Sequence, residues 1–414
     1  MTNLVQDTVC RQARRALIDL AHRLDDGLAR VVSNRRRVLF EAASPLSVAV
    51  ARPLLDRLHR DERLEIWCTA TDESWDAAAI FRGAPFAGRV ISSRRARWMK
   101  FDLYVNTDFW NMTWLPRRTK RVHLFHGVAG KYGLDAPVDI APTIATFDRL
   151  FFPNADRLDR YVEAGLIDPV RGQRGLIGYP KVDCLVDGSM EQAEVRDRLG
   201  LSDGRPTVLY APTWSPYSSL NAHGETVIQS LLREDLNVIV KLHDRSYGTA
   251  VRGSGGVDWR RHLSAIDASD RLHVATEADI SPYLVAADLL VTDHSSAGFE
   301  FMLLDRPIVV LACPALADRA RISPHKLGLM RRAAEVADHP GRLPDLIRRA
   351  LASPSRLGAE RRSIAAQLFH DPGRATARAT LATYGLLELE PPAAVAIARP
   401  SRSMAHPAPS TRLQ

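Results

Sequence analysis

Residues 287–300 read ADLLVTDHSSAGFE and carry the clearest structural signal in the chain. The apolar first half is typical of a buried strand, and Ser295 and Ser296 then open a helical pattern. Backbone N–H groups at a helix start lie at the positive end of the helix dipole, and together with two hydroxyl donors they suit a phosphate group. Glu300 lies one turn after Ser296, where its carboxylate would hold a ribose diol. Simple capping of the helix by Asp293 or Ser295 is the alternative interpretation.

The same alternation of strand and helix continues on both sides of this segment. Downstream of residue 206, strands are predicted at 207–210, 238–241, 272–274, 289–292 and 308–311, with helices at 224–234, 281–287, 296–304, 342–352 and 356–369. Upstream, strands are predicted at 37–40, 64–68, 103–106, 122–125, 150–152 and 176–179, with a helix at 45–58 capped by Ser44. Strands separated by helices predict parallel sheets covered on both faces. We therefore predict an α/β chain of two doubly wound Rossmann-type domains, with a ligand cleft at the carboxyl ends of the strands.

The two ends of the chain differ from this core. Residues 4–33 predict one amphipathic helix (in the region 1–34), which we expect to pack on the body of the protein; a helix lying in a membrane surface is the alternative. The predicted domains are 35–186 and 207–388, joined by a linker at 187–206 that contains one short helix. The tail at 389–414 is rich in Pro, Ala, Ser and Arg from Pro391 onward and is predicted to be disordered.

Composition restricts the class of protein. The chain has 414 residues, enough for two to three domains at about 150 residues each, and is 46% hydrophobic and 25% charged, which excludes a fibrous or mostly disordered chain. It contains no run of about 18 uncharged apolar residues, and its charged start lacks the apolar core of a signal peptide. Four widely separated cysteines argue against a disulfide framework or a zinc site. We therefore expect a cytoplasmic protein.

Positive charge is concentrated in residues 94–121. This segment holds eight basic and two acidic residues, a net charge of +6, together with three tryptophans at positions 98, 110 and 114. A basic surface with aromatic side chains suits an anionic partner such as a phosphate polymer, a lipid headgroup or nucleic acid. A solvated loop with partly buried indoles is the alternative. Because no nucleic-acid-binding module is recognisable, we predict that nucleic acid is not a partner.

Two further strand ends carry candidate chemistry. His126 follows a predicted strand, is followed by Gly127, and is well placed as a general base, the role that histidine most often takes in proton transfer. A buried, hydrogen-bonded histidine is the alternative interpretation. Lys241 and His243 stand two residues apart at another strand end, where they would share a face and clamp a pyrophosphate. Walker-type, HExxH and GxSxG motifs are absent from the sequence, and no carboxylate cluster demands a metal.

Taken together, five segments resemble the CDP-glycerol glycerophosphotransferase family, whose members build teichoic-acid and similar polyol-phosphate polymers. In chain order the segments are His126-Gly127 with Lys131, GYPKVD at 178–183, LYAPTW at 209–214, KLH at 241–243, and AD through TDHSS to FE at 287–300. The resemblance covers residues 120 to about 312. The chain departs from the family pattern at Val128-Ala129, Asp244, His294 and Glu300, which concerns the polyol and the acceptor more than the reaction type.

The resemblance implies a GT-B architecture, in which the second domain binds the nucleotide and the acceptor approaches over the first. It implies attack of an acceptor hydroxyl on the β-phosphorus of a CDP-polyol, with release of CMP. His126 and His243 are the predicted catalytic residues. Predicted donor contacts are Lys241, Asp293, Ser295, Ser296, Glu300, Pro212 and Thr213, and predicted acceptor contacts are Lys131, Arg117, Arg118, Lys120 and Arg121.

The implied partners are a CDP-polyol donor and an anionic polymer or lipid-linked acceptor of the cell envelope or capsule, with peripheral contact to the inner membrane surface. No cofactor is expected, and the sequence leaves open whether a Mg²⁺ ion binds loosely to the pyrophosphate. Two other interpretations remain: a GT-B glycosyltransferase that uses a nucleotide sugar, and a non-catalytic module that binds nucleotides or polyanions. Product analysis distinguishes a glycosyltransferase from a phosphotransferase, because the glycosyltransferase would yield a glycoside instead of a phosphodiester.

Overall fold

The computed structural model of the chain describes residues 2–33, 35–71, 76–82, 89–109, 112, 114–128, 137–168, 172–201, 203–248, 251–266 and 270–393. Lys131, predicted to contact the acceptor, lies outside this part. So do residues 394–414 of the predicted disordered tail and the side chains of residues 2–11.

Within the described ranges, two parallel six-stranded sheets form the two halves of the chain. The first has the order β2-β1-β3-β4-β5-β6 and the second the order β12-β11-β10-β7-β8-β9. The first six strands are β1 Arg36–Ala42, β2 Leu64–Ala70, β3 Leu103–Asn106, β4 Lys120–Leu124, β5 Arg149–Phe152 and β6 Arg174–Leu176. The second six are β7 Thr207–Tyr210, β8 Asn237–Lys241, β9 Leu272–Ala275, β10 Leu289–Thr292, β11 Ile308–Leu311 and β12 Glu335–Ala337.

Helices cover both faces of each sheet, as the continuous burial of strands such as β10 and β11 requires. The helices of the first half are α1 Thr2–Val32, α2 Pro45–His59, α3 Ala77–Ile80, α4 Ser93–Ala96, α5 Ala141–Ile144 and α6 Ala155–Glu163, followed by α7 Gln192–Arg198 in the linker. Those of the second half are α8 Ser219–Leu232, α9 Val251–Ser254, α10 Trp259–Ala265, α11 Ser281–Ala286, α12 Ser296–Phe301, α13 Pro314–Arg319, α14 Pro324–Ala333, α15 Leu343–Ala352, α16 Gly358–Leu368 and α17 Ala375–Leu387. Short 3-10 turns lie at Val138–Ile140, Pro180–Leu185, Asp244–Tyr247, Met302–Leu304 and Pro340–Arg342.

The α/β prediction of two doubly wound halves is confirmed. Ser44 caps α2 by accepting the backbone N–H of Ser47, as expected from the sequence. Strand β12, at the edge of the second sheet, was not predicted from the sequence. Its three residues are too few to show a recognisable alternation of apolar and polar side chains. Strand β6 lies two residues earlier than predicted, since the chain turns away at Gly178, whose φ is +90°.

The last helix returns to the first half of the chain. The predicted second domain included α17, but this helix packs on α2, and Tyr384 donates a hydrogen bond to Asp61 (2.6 Å). Asp183, in the 3-10 turn Pro180–Leu185, accepts the backbone N–H groups of Ala375 (3.1 Å) and Thr376 (2.7 Å) at the start of α17. Asp183 of the GYPKVD segment therefore anchors the start of α17.

Helix α1 uses one face to pack on the first half and leaves another face exposed. Ile18 is buried, His22 contacts the carbonyl oxygen of Arg97 (2.9 Å), and Asp25 pairs with Arg37 (2.6 Å). The opposite side presents an apolar row to solvent: Leu17, Leu20, Leu24, Leu28 and Val31, which we call the leucine stripe. Packing on the body, the expected arrangement, thus leaves this stripe without a partner among the described residues. None of the helices in the described ranges is long and apolar enough to span a bilayer.

Candidate active site

His126 lies where the carboxyl ends of two neighbouring strands meet. It follows β4, and Thr107 and Asp108 follow the adjacent parallel strand β3. His126 Nδ1 is 2.9 Å from the carbonyl oxygen of Thr107 and 3.4 Å from Oδ1 of Asp108. A carbonyl oxygen only accepts, so Nδ1 carries the proton in the neutral ring and Nε2 carries the free lone pair. The His126 side chain is 43% exposed, so this nitrogen is within reach of a bound molecule.

Asp108 is a further candidate site residue, which the sequence analysis did not single out. Its Oδ2 accepts the hydroxyl of Ser47 (3.1 Å) from the first turn of α2, while Oδ1 faces His126. A carboxylate in this place stabilises the imidazolium that forms when His126 takes a proton. The available signal was its position just after β3, since neighbouring parallel strands bring their carboxyl ends together.

Buried contacts stabilise the turn that follows His126. Arg157, on α6, donates to the carbonyl oxygen of Gly127 (2.7 Å), and its guanidinium lies 5.1 Å from the centre of the Phe125 ring. Arg157 is buried, so this contact is part of the interior. It gives the His126-Gly127 turn one defined conformation.

The nearby His123, unlike His126, is a buried, hydrogen-bonded histidine. Its Nδ1 donates to Asn106 (3.0 Å), and Asn106 donates to the hydroxyl of Tyr104 (3.0 Å), which in turn donates to Glu41 (2.6 Å). Burial holds the pKa of His123 well below its usual range, so its ring stays neutral. Burial also raises the pKa of Glu41 to about 7. The structure thus separates His126 from His123: the first is exposed at the strand end, the second a core residue.

In the second half, Asp293 is turned inward. Its carboxylate accepts the backbone N–H of Thr213 (2.9 Å) and both the N–H (3.1 Å) and the hydroxyl (3.0 Å) of Ser219, and it is fully buried. The predicted direct contact of Asp293 with the donor is therefore corrected. Asp293 positions the loop between β7 and α8, which carries Pro212 and Thr213.

Glu300 is also engaged within the protein. It forms a buried ion pair with Lys181 (2.5 Å), in which 3% of the Lys181 side chain and 5% of the Glu300 side chain is exposed. The predicted contact with a ribose diol is thus corrected, because both groups are enclosed between the 3-10 turn Pro180–Leu185 and α12. No local sequence pattern indicates this pairing, since 119 residues separate the partners.

Lys241 and His243 occupy different depths at the end of β8. The Lys241 amine is buried and donates to the carbonyl oxygen of Leu242 (2.5 Å), and burial lowers its pKa. His243 is half-buried, and its Nδ1 accepts the backbone N–H of Arg245 (3.2 Å). Nδ1 is thus the acceptor, and the proton of the neutral His243 ring sits on Nε2. Trp214 lies beside it, with ring centres 5.9 Å apart.

The two serines remain at the helix start. Ser295 caps α12 by accepting the N–H of Ala297 (3.4 Å), so the capping interpretation is confirmed for this residue, and Ser296 is half-buried. Strands β8, β7 and β10 are neighbours, which places residues 241–243, 212–214 and 293–296 at one edge of the sheet. The predicted donor residues are therefore gathered at this edge, although Asp293, Glu300 and Lys241 lie beneath its surface.

The first turn of α2 contacts residues at the carboxyl ends of strands in both sheets. Ser47 holds Asp108 beside His126, and the backbone N–H of the preceding residue, Leu46, stabilises the charged form of Asp244. Asp244 directly follows His243. The loop bearing His243 and the loop bearing His126 thus approach the same turn from opposite halves.

The basic residues predicted to bind the acceptor lie at the other edge of the first sheet. Lys120 opens β4 and Leu124 ends it, so four residue steps of about 3.3 Å separate that edge from the His126 turn. Arg117 and Arg118 are exposed in the preceding turn, Lys120 lies 3.7 Å from Asp148, and Arg121 is half-buried. This placement keeps the four residues away from the His126 turn itself, and their predicted contact with an anionic acceptor stays a prediction.

Comparison with known proteins agrees with this architecture. The model of the CDP-glycerol:poly(glycerophosphate) glycerophosphotransferase family matches residues 31–315. The teichoic acid poly(glycerol phosphate) polymerase of Staphylococcus epidermidis is 28% identical over 164 residues, which is 39% of this chain and 22% of that protein. The teichoic acid glycerol-phosphate primase of Bacillus spizizenii is 26% identical over 169 residues, 40% of each chain. This chain thus spans well under half the length of these curated relatives.

Solved structures confirm the GT-B-like fold. The wall teichoic acid polymerase TagF matches with a TM-score of 0.65 at 15% identity, covering 94% of this chain and 98% of that one. UDP-N-acetylglucosamine 2-epimerase matches with a TM-score of 0.53 at 15% identity, covering 87% and 99%. Since two different kinds of enzyme share the fold, the family assignment rests on the sequence match over residues 31–315. The chain belongs to the CDP-glycerol:poly(glycerophosphate) glycerophosphotransferase family.

Proposed function

We propose that this chain transfers glycerophosphate, or a similar polyol phosphate, from a CDP-activated donor to a hydroxyl group of a cell-envelope polymer or lipid-linked acceptor, and releases CMP. One observation carries the proposal beyond family membership: the backbone gives the two histidines opposite tautomers. His126 presents a lone pair at Nε2, and His243 presents a proton there. These are two groups that accelerate phosphoryl transfer, a base for the acceptor hydroxyl and a hydrogen-bond donor for the phosphate.

In the proposed reaction, His126 Nε2 takes the proton of the acceptor hydroxyl while Asp108 stabilises the resulting imidazolium. The acceptor oxygen forms a bond to the β-phosphorus, and the bond from that phosphorus to the bridging oxygen breaks. CMP leaves with the bridging oxygen and its electron pair. The His243 N–H and the hydroxyls of Ser295 and Ser296 stabilise the phosphate charge, with the Lys241 amine beneath them. Catalysis then depends on positioning and electrostatics.

The test is product analysis with purified protein and a panel of CDP-glycerol, CDP-ribitol, UDP-sugars and GDP-sugars, with a glycerophosphate-primed acceptor. We expect CMP and a new phosphodiester from a CDP-polyol. His126→Asn should lower turnover by about 10²–10⁴, while the donor still raises the melting temperature. His223→Asn, an exposed histidine on α8, is the matched control and should behave as wild type. A glycoside product from a sugar nucleotide would refute the proposal.

We also propose that α1 contacts the cytoplasmic face of the membrane through the leucine stripe. Its side chains are between 54% and 86% exposed, an unusual arrangement for five apolar residues on one helix face. An amphipathic helix lying in the interface buries such a face among the headgroups. Vesicle sedimentation tests this proposal: Leu20→Gln/Leu24→Gln should release the protein from vesicles, and unchanged sedimentation of that variant would contradict it.

A further inference from the structure

A pocket of 330 Å³ lies between α1 and α4, away from the His126 turn. Its lining consists of Arg14 from α1, Arg94 from α4, and Arg97 and Trp98 just beyond α4. A cavity of this volume has room for a phosphate group. None of the contacts described for the catalytic site uses these four residues.

The chemistry of the lining favours an anion with several oxygens. All three charged lining groups are guanidinium groups. Among the described residues, neither Arg14 nor Arg97 forms an ion pair, and the buried Nε of Arg97 has no hydrogen-bond partner there. Nearby acids are already engaged, since Asp25 pairs with Arg37 and Asp102 pairs with Lys100. Guanidinium groups bind phosphate through paired N–H donors, so a phosphate would provide acceptors for Arg14 and Arg97.

The location of the pocket indicates what carries the phosphate. Arg14 lies one turn before Leu17, on the flank of α1 between its packed face and the leucine stripe. Trp98 is 49% exposed at the pocket, and an exposed indole is a typical side chain of the membrane interface. A ligand that fills the pocket and covers the stripe therefore has a phosphate at one end and apolar chains at the other.

We infer that Arg14, Arg94, Arg97 and Trp98 form a binding site for the headgroup phosphate of an anionic phospholipid, next to the acyl surface that the leucine stripe contacts. This inference rests on the proposed membrane contact of α1. An anionic polymer would account for the arginines but not for the exposed leucines. A second copy of the chain would account for the leucines but not for a cavity lined by three arginines.

The test compares vesicles of phosphatidylcholine alone with vesicles that also contain phosphatidylglycerol. The variant is Arg14→Gln/Arg97→Gln, and the control is Arg15→Gln/Arg23→Gln, which removes the same charge from exposed positions elsewhere on α1. General attraction to an anionic surface is worth about fivefold per arginine in either double variant. Because only the pocket variant also loses paired contacts, we expect it to bind phosphatidylglycerol vesicles at least tenfold more weakly than the control.

Several outcomes decide between the two proposals. If wild type binds vesicles and both double variants bind equally, the headgroup site is wrong while the membrane contact stands. If wild type binds no vesicle, both are wrong. If glycerophosphate polymer in solution shows the same tenfold difference and vesicles do not, the pocket binds polymer and the lipid assignment is overturned. Arg97→Lys keeps the charge without the paired donors, and it should lie between wild type and the double variant in lipid affinity.

Discussion

Asp108 Oδ1 lies 3.4 Å from His126 Nδ1, a ring nitrogen that also donates to the carbonyl oxygen of Thr107. The two contacts have separate effects. The carbonyl sets the tautomer of the neutral ring, and the carboxylate stabilises the ring once it is protonated. Removing Asp108 should therefore leave the base in place but weaken its protonated form.

We expect Asp108→Asn to lower turnover by about tenfold to a hundredfold, less than the full general-base contribution of about 10²–10⁴. The KM for CDP-glycerol should stay near the wild-type value, because Asp108 does not contact the donor in the proposed complex. Ser47→Ala, which removes only the hydroxyl that orients Asp108, should have a smaller effect. Steady-state measurement of CMP release checks this prediction, and normal turnover of Asp108→Asn would exclude a role for the carboxylate.

Because His126 and His243 have opposite tautomers, replacement by glutamine should have opposite effects on activity at the two positions. A glutamine amide can donate an N–H but cannot accept a proton at neutral pH. His243→Gln should therefore retain more activity than His243→Ala, whose loss of a phosphate donor is worth about 10²–10³ in rate. His126→Gln should be as inactive as His126→Ala. Single-turnover rates of the four variants provide the measurement, and equal rescue at both positions would contradict the assignment of base and donor.

The raised pKa of Glu41 predicts that the free energy of unfolding depends on pH. Burial raises its folded pKa from 4.5 to about 7, so the folded state binds more protons than the unfolded state between these values. Stability contributed by protonated Glu41 is fully present below pH 4.5 and is lost as the pH rises through 7. The loss amounts to about 3 kcal/mol at 1.36 kcal/mol per unit. Glu41→Gln removes this proton uptake and should flatten the curve.

Urea unfolding of wild type and Glu41→Gln at several pH values from 4.5 to 8 measures the difference. The other titrating groups are common to both proteins and cancel in that comparison. Glu62→Gln, on an exposed loop, is the matched control and should follow wild type. Parallel curves for wild type and Glu41→Gln would show that Glu41 is ionised in the folded state across this range.

The ion pair of Lys181 and Glu300 predicts a loss of stability without a direct loss of donor affinity. Glu300→Gln leaves a buried ammonium without its charge partner, which should cost about 3–5 kcal/mol in the free energy of unfolding. Lys181→Met/Glu300→Leu removes both charges and should recover much of this cost. Urea unfolding and the donor KM, measured on the same preparations, check it. A raised donor KM with unchanged stability would restore Glu300 to the donor site.

Local patterns were enough to predict the α/β class, both parallel sheets, the cap at Ser44 and the position of His126 at a strand end. They also identified the segments at the carboxyl edge of the second sheet. Each of these features depends on residues close in sequence, because strand burial, helix periodicity and capping act over a few residues. The five family segments added the GT-B fold and the family.

The partner of each side chain was decided only by tertiary structure. Asp293 and Glu300 stand in a segment typical of ligand binding, yet Asp293 orients the loop before α8 and Glu300 neutralises Lys181. Asp108 came beside His126 because β3 and β4 are adjacent, a contact with no local pattern. The sequence alone determined which groups can do chemistry; the packing of strands and helices distant in sequence determined which of them face the cleft, since a buried charge takes whichever partner the fold brings within reach.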